Sequence, residues 1–327
     1  MKKVLILVLC LMLVFGFCAC GDDKAGGENG LEKVTLVLDW TPYSSHAGIY
    51  VAKELGYFEE EGIDLEVVLP PEDGAVAMVA SGQAQFGIDF QDSLAAAFDA
   101  EPEKVMPVTA IAAVIQHNTS GIISLKEAGI TSFKQLEGKT YASYQLPTEL
   151  KEIEFLMEEA GGDYAKLNVV PNAAYDAVSA LSADVDCIWV YEGWEKIACE
   201  RAGLDCNFIR FRDIDRVFDY YTPVIIGNND YMSENVETER GLMRALTKGY
   251  EYCAENPDSA AELLCRAVPE LDQDLVKESL EFLAGEFISD APCWGYIDSD
   301  RWNRFYDWMY AEGLIEHNLN GIGYAWG

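Results

Sequence analysis

The apolar positions along the chain fall into short runs of two kinds. Runs at 34–39, 65–69 and 86–89 are brief, rich in Val, Leu, Ile and Phe, and closed by turn formers, which marks them as strands. Between them, 46–60 carries Ile49, Val51, Ala52 and Leu55 at helical spacing, all expected to face inward, and 74–81 and 93–100 read as further helices. Pro42 and the pair Pro70 and Pro71 stop the first two strands. The stretch 105–115 is extended and β-branched. Strand and helix alternate throughout, which predicts an α/β fold with a mostly parallel sheet.

A second unit repeats the alternation. Strands are expected at 121–125, 139–144, 169–170, 187–190 and 207–210, and helices at 148–160, 176–182 and 194–201. After an extended stretch at 221–228 the tail is helical, over 237–255, 257–267, 272–284 and 301–312, with Pro257 suited to a first helical turn. No low-complexity linker separates the units. The chain is therefore expected to cross twice between lobes, near 115–121 and 218–224. Lobe 1 would comprise 33–117 and 222–327, and lobe 2 would comprise 118–221. An inserted lobe leaves a hinged cleft, and ligands in open α/β sheets bind beyond the carboxyl ends of the strands.

The N-terminus sets the compartment. Lys2 and Lys3 precede an apolar run over 4–17, a signal for export that is too short for an ordinary membrane span. Phe17-Cys18-Ala19-Cys20-Gly21 resembles a bacterial lipobox, which implies a signal peptide over 1–19 and lipidation at Cys20. A polar tether over 20–32 follows. The precursor holds 23 basic and 56 acidic residues, and cleavage before Cys20 deletes two lysines and no acid, taking the net charge from −33 to −35. Such a surface repels nucleic acid and anionic headgroups. An anionic ligand would need local donors against this field. Six cysteines remain beyond Cys20 without CxxC or zinc-site spacing, which favours mostly buried free thiols over a disulfide framework.

Several segments together resemble one family. DWTPYSSHAGIYVAKELGYFEEEGIDLEVV, the PPEDGA turn, VASGQAQFGIDFQDS, VYEGWEKIACERAG, DYYTPVIIGN and the KGYEYCAENPDSAAELL helix pair are similar to the thiamine-pyrimidine-precursor binding proteins. The similarity covers nearly all of the chain after the tether. It implies a two-lobed periplasmic-binding-protein-like fold of type II with the ligand cleft between the lobes. It also implies a monomeric lipoprotein on the outer face of the cell membrane that serves an ABC permease and ATPase. The implied ligand is formylaminopyrimidine or hydroxymethylpyrimidine. Riboflavin, sulfonate and nitrate receptors of the same fold remain alternatives. The eukaryotic pyrimidine synthases share the superfamily, but the chain has no cysteine cluster matching their iron motif.

The residues suit a flat heteroaromatic ligand. Trp40 sits on a rigid strand-end loop where its indole can stack on a pyrimidine. Asp39 can accept from an exocyclic amine or cap the turn. His46 opens the first helix, either as a cap or facing the cleft. Asp89, Gln91 and Asp92 lie at the end of the third strand. Gln91 offers both donor and acceptor, and Asp92 is placed to cap the helix from Ser93. In the second unit Trp189, Tyr191, Glu192 and Trp194 surround a strand-to-helix turn, and Glu192 can pair with a ring nitrogen and amine. Tyr144 precedes a helix whose free N–H groups can hold an anion. Tyr221 at the second crossing lines the cleft or packs the hinge.

Catalysis finds little support. The chain lacks GxSxG, HExxH, a Walker loop and a dinucleotide fingerprint, and nothing sets a nucleophile beside a base. His117 is expected to be structural. No metal and no cofactor is expected.

Overall fold

The computed structural model describes residues 30–172 and 176–325. The expected signal peptide, Cys20 and the tether up to residue 29 lie outside the described residues. Two five-stranded sheets dominate. The first contains β1 (Glu32–Val37), β2 (Ile63–Val68), β3 (Phe86–Asp89) and β4 (Val108–Ala113). The second contains β5 (Ser120–Leu125), β6 (Thr140–Ser143), β7 (Asn168–Pro171), β8 (Cys187–Tyr191) and β9 (Cys206–Arg210). The chain then returns to the first sheet with β10 (Val224–Asn228). The strand orders are β2-β1-β3-β10-β4 and β7-β6-β8-β5-β9. The result is two α/β lobes.

In each sheet four of the five strands run the same way, as expected of a mostly parallel sheet, and one runs against them. β10 runs antiparallel to β3 and β4, and β5 runs antiparallel to β8 and β9. Each reversed strand is the first one reached after a crossing between sheets. It is entered directly from the other lobe, without the helical crossover that returns a chain to the start of a parallel strand.

The two crossings are tied to each other. Asn118 donates through Nδ2 to the Phe218 carbonyl at 2.8 Å, and Asp219 accepts from the Asn118 N–H at 3.0 Å. His117 Nδ1 lies 2.8 Å from Asp219, whose hydrogen bond raises the imidazole above its ordinary range. His117 therefore serves as hinge structure, as expected.

The C-terminal helices span the seam between lobes. Helix Gln273–Leu283 packs on the turn 192–196, where the Ser279 hydroxyl donates to the Gly193 carbonyl. Helix Ser299–Ala311 brings Trp308 onto Phe155 and Phe218 of lobe 2. Arg212 forms two hydrogen bonds of 2.9 Å to Glu286.

Helix Ala47–Glu54 is clamped by helix Val236–Glu255 at a glycine contact, where a Cβ on Gly249 would stand 2.1 Å from the Gly48 carbonyl oxygen. The expected single helix over 46–60 breaks at Gly56, whose φ of 76° is left-handed. Leu55, expected inside, is exposed there. Cys187, Cys199, Cys206, Cys253, Cys265 and Cys293 are free thiols; the first two and Cys253 are buried, and Cys293 is exposed.

Candidate functional site

The carboxyl ends of β1 and β3 lie side by side in the first sheet, because the two strands are parallel neighbours. Asp39 follows β1. Its Oδ1 lies 2.6 Å from His46 Nε2, and its Oδ2 accepts from the Tyr43 hydroxyl at 3.3 Å. His46 Nδ1 accepts the Tyr43 N–H at 3.4 Å, so the ring hydrogen sits on Nε2 and is donated to Asp39. His46 is fully buried, so it stands behind Asp39 rather than in the cleft. The Tyr43 ring meets His46 edge-on at 4.4 Å and comes within 6.1 Å of Trp194 in the other lobe. Burial and then Asp39 hold the Tyr43 phenol well above its ordinary range. Trp40, the next residue after Asp39, is 65 % exposed.

Asp89 ends β3. It accepts the Phe90 N–H at 2.8 Å and the Ser93 hydroxyl. Burial pushes its carboxyl up to about 6. Asp39, Asp89, Phe90 and Ser93 line a groove of about 370 Å³ together with Gly74 and Met106. The helix here spans Gln91–Phe98, so Asp92 lies inside its first turn. It does not cap the helix as expected; Asp89 takes the Phe90 N–H and the Ser93 hydroxyl. Gln91 is fully buried, and both ends of its amide are engaged by main chain. Nε2 donates to the Trp302 carbonyl at 2.8 Å, and Oε1 accepts the Tyr221 N–H at 2.9 Å. It is a strut, not a ligand contact.

The second lobe contributes Tyr191, Trp194 and a residue the sequence did not single out, Glu195. Tyr191 stacks on Phe90 across the cleft, with centroids 6.3 Å apart and planes at 19°. Its hydroxyl bonds Thr222 at 2.8 Å. The chain after β8 makes one wide turn over Glu192–Lys196 before helix Ile197–Arg201, instead of the single helix expected over 194–201. That turn brings Glu195 back beneath Tyr191, whose N–H it accepts at 3.0 Å. Burial raises the Glu195 carboxyl above the usual range. Glu192 points elsewhere. Arg210 Nε donates to it at 2.8 Å, its Nη2 adds a second bond, and Lys196 lies 3.7 Å away. The expected pairing of Glu192 with a ligand is therefore replaced by an ion pair.

Three other expectations are relocated. Trp189 is 8 % exposed and packs its ring on Phe211 at 4.1 Å, inside lobe 2. Tyr221 is fully buried; its hydroxyl accepts the Asp298 N–H at 2.8 Å, and the Arg301 guanidinium lies 5.2 Å from its ring. It packs the hinge. Tyr144 is half-exposed, with its hydroxyl 3.4 Å from the Trp189 carbonyl. The helix behind it, Pro147–Glu159, is not open to an anion. Glu149 already takes the Tyr144 and Leu146 N–H groups at 3.1 and 3.2 Å, together with the Tyr141 and Ser143 hydroxyls at 2.5 and 3.0 Å.

Asp39, Asp89, Phe90 and Ser93 thus share one groove. Ring contacts of Tyr43 with Trp194 and of Phe90 with Tyr191 join it to the second lobe, and Glu195 bonds the Tyr191 N–H. Trp40 follows Asp39 in the chain, and Tyr144 lies beside the Trp189 carbonyl. Helical spacing was the signal for Glu195: a residue four after Tyr191 returns to the same side of a turn, and Glu192 does not. Among the described residues, Asp89, Asp92, Glu149, Glu152 and Glu195 form no ion pair with Lys, Arg or His. The groove carboxyl Asp89 and its neighbour Glu195 stand beside the stacked rings of Phe90 and Tyr191, and among the described residues neither pairs with a cation.

Two α/β lobes joined by two crossings, with strand ends facing one cleft, are the architecture of the periplasmic binding proteins. The alkanesulfonate-binding protein SsuA of Xanthomonas axonopodis pv. citri, solved with MOPS bound, shares it with a TM-score of 0.67 at 12 % identity, over 90 % of this chain and 98 % of that one. The chain belongs to the NMT1/THI5-like family, whose model matches residues 43–260. It is 30 % identical to the formylaminopyrimidine-binding protein of Halalkalibacterium halodurans, over 97 % of this chain and 96 % of the relative. It is also 29 % identical to a 4-amino-5-hydroxymethyl-2-methylpyrimidine phosphate synthase of Legionella pneumophila, over 81 % and 84 % of the two chains.

Proposed function

We propose that this chain is the extracytoplasmic receptor of an ABC importer, and that it captures a thiamine pyrimidine precursor by closing two lobes, 33–117 with 222–327 and 118–221, around it. The observation that carries the reading is the set of acceptor carboxyls, Asp39, Asp89 and Glu195, held between aromatic rings without a cation. An aminopyrimidine presents a flat ring to Trp40, Tyr43, Phe90 and Tyr191, and N–H donors to the carboxyls. A sulfonate would meet like charge in this cleft and find the helix at Pro147 already capped by Glu149. The formylaminopyrimidine-binding relative, matched along almost its whole length, supports the same ligand class.

The receptor binds and releases its ligand unchanged. Its partners are a permease and its ATPase, and a lipid on Cys20 holds it as a monomer on the outer membrane face. Mass spectrometry of Cys20 tests the anchor.

The decisive experiment is calorimetric titration of the ligand-stripped protein with formylaminopyrimidine and hydroxymethylpyrimidine, with riboflavin and taurine as comparators. Micromolar or tighter binding of either pyrimidine, recovered unaltered, is the expected result. Binding of riboflavin alone would move the receptor to flavin import, and chemical conversion of a pyrimidine would make it an enzyme.

A further inference from the structure

The wide turn over Glu192–Lys196 belongs to lobe 2, yet helix Gln273–Leu283 of lobe 1 is packed against it. Ser279 is fully buried on that helix, and its hydroxyl donates to the Gly193 carbonyl. A Cβ on Gly193 would stand 2.9 Å from Leu283 Cδ2 and 3.0 Å from Phe282 Cδ1, so the main chain of the turn lies directly on the helix. Trp194, the next residue, packs on the core that joins Val276, Leu280 and Leu283 to Val34 and Leu36 of β1. Arg201, at the end of helix Ile197–Arg201, pairs with Glu278 and lies 3.6 Å from Asp272 and 3.7 Å from Asp274. Helix Gln273–Leu283 also packs on Ser44–His46, the residues that follow Tyr43. It therefore touches one site loop of each lobe.

Two hydrogen bonds show what the contact does to the turn. In an α-helix the Ile197 N–H would bond the carbonyl four residues back, which is Gly193. Here it bonds the Trp194 carbonyl, and the Gly193 carbonyl takes the Ser279 hydroxyl from lobe 1. The second bond is the one that Glu195 makes. In an ordinary capping box the side chain three residues after the N-cap accepts the N-cap N–H. Tyr191 is the N-cap here, and its N–H goes to Glu195, four residues on, at 3.0 Å. The wide turn supplies the extra residue. Tightened to an α-helix, it would offer Trp194 at that place, and an indole has no acceptor.

We propose that Ser279 is a positioning residue for the ligand site: by bonding Gly193 it holds the turn wide and so keeps Glu195 on the Tyr191 N–H. The lobe 2 half of the site is then complete only while lobe 1 touches it. That Glu195 meets a ligand rests on the receptor reading above.

The test follows the Tyr191 amide by hydrogen exchange, read by NMR on the whole protein without ligand. Ser279→Ala is expected to speed its exchange roughly tenfold, as for the loss of one hydrogen bond, while the amides of helix Gln273–Leu283 keep wild-type rates. Glu195→Ala is expected to speed the same amide with Ser279 in place, which ties the readout to that bond. Arg201→Gln changes an exposed side chain that grips the same helix, and is expected to act in the same direction by less. It decides the question should Ser279→Ala fold poorly. Calorimetric titration of Ser279→Ala with the two pyrimidines is expected to show affinity reduced roughly tenfold. A Tyr191 amide at the wild-type rate in both Ser279→Ala and Arg201→Gln would overturn the positioning role, whatever binds. Equal speeding of the helix amides would also overturn it, because the hydroxyl would then be a general fold contact. If the Tyr191 amide alone responds and none of the four ligands binds, the positioning role stands and the ligand reading fails alone.

Discussion

His46 gives its Nε2 hydrogen to Asp39 across 2.6 Å, with the two side chains 0 and 4 % exposed. The ring orients a carboxyl that follows β1, so His46 is a positioning residue for the cleft. Removing it leaves Asp39 buried with the longer Tyr43 bond alone. A buried acceptor stripped of its partner costs about 1–3 kcal/mol. His46→Ala is therefore expected to lose about that much stability in urea unfolding. It is also expected to weaken pyrimidine binding roughly tenfold or more, because Asp39 is no longer held. Wild-type affinity in a destabilised variant would show that the ring supports the fold alone.

Glu192 and Glu195 make a matched pair for the next experiment. They are three residues apart, and one is neutralised by Arg210 while the other has no cation. Glu195→Gln should cut pyrimidine affinity by about 1.5–3 kcal/mol, the range for a hydrogen bond to a charged group. Glu192→Gln should leave affinity near wild type and lower stability slightly, because Arg210 loses one of its two carboxylate partners and keeps Asp213. Titration of both variants side by side decides which carboxyl the ligand meets; the reverse ranking would restore Glu192 to the site.

Much of the fold was legible because each element carries its own period. Strand ends at Asp39 and Asp89 follow from short apolar runs closed by turn residues, and they are where the cleft forms. What the pattern could not give was the direction in which a strand is entered. β5 and β10 look like any other strand, and their reversal depends on the crossings, a property of the path and not of local residues. The site was half legible for a similar reason. Gln91, Trp189 and Tyr221 have the right chemistry at the right strand ends, but their partners, Trp302, Phe211 and Asp298, are distant in sequence and claim them for the scaffold. Glu195 was passed over because Glu192 stands nearer the strand end, although its spacing of four from Tyr191 carried it back to that residue across the wide turn.

The glycine contact between helices Ala47–Glu54 and Val236–Glu255 supports the cleft from behind. A methyl on Gly249 would meet main chain, the Gly48 carbonyl, and not a side chain that can swing aside. The helices must separate, at a cost of about 1–3 kcal/mol for such overpacking. The next residue, Tyr250, donates to the Ser45 carbonyl at 2.9 Å, inside the loop that carries Tyr43 and His46. Gly249→Ala is thus expected to lower the melting temperature and to weaken ligand binding together. A loss of stability with full affinity would uncouple the helix contact from the loop.

Asp89 gives a pH dependence with a definite sign. Its carboxyl in the fold titrates at about 6, above the ordinary 3.8, because burial disfavours the charge. Below the ordinary value both folded and unfolded chains hold the proton, and stability is full. Between the two values the unfolded chain ionises while the fold keeps its proton, so stability falls as pH rises; above about 6 the loss is complete. Asp92, also at about 6, adds a loss over the same window. Asp89→Asn keeps a carbonyl for the Phe90 N–H and removes one of the two titrations. Melting curves collected across this window should show the wild type losing more stability than the variant, with the difference growing toward neutral pH. Parallel curves for the two proteins would mean that Asp89 is ionised in the fold, stabilised by the Ser93 hydroxyl and the Phe90 N–H against its burial.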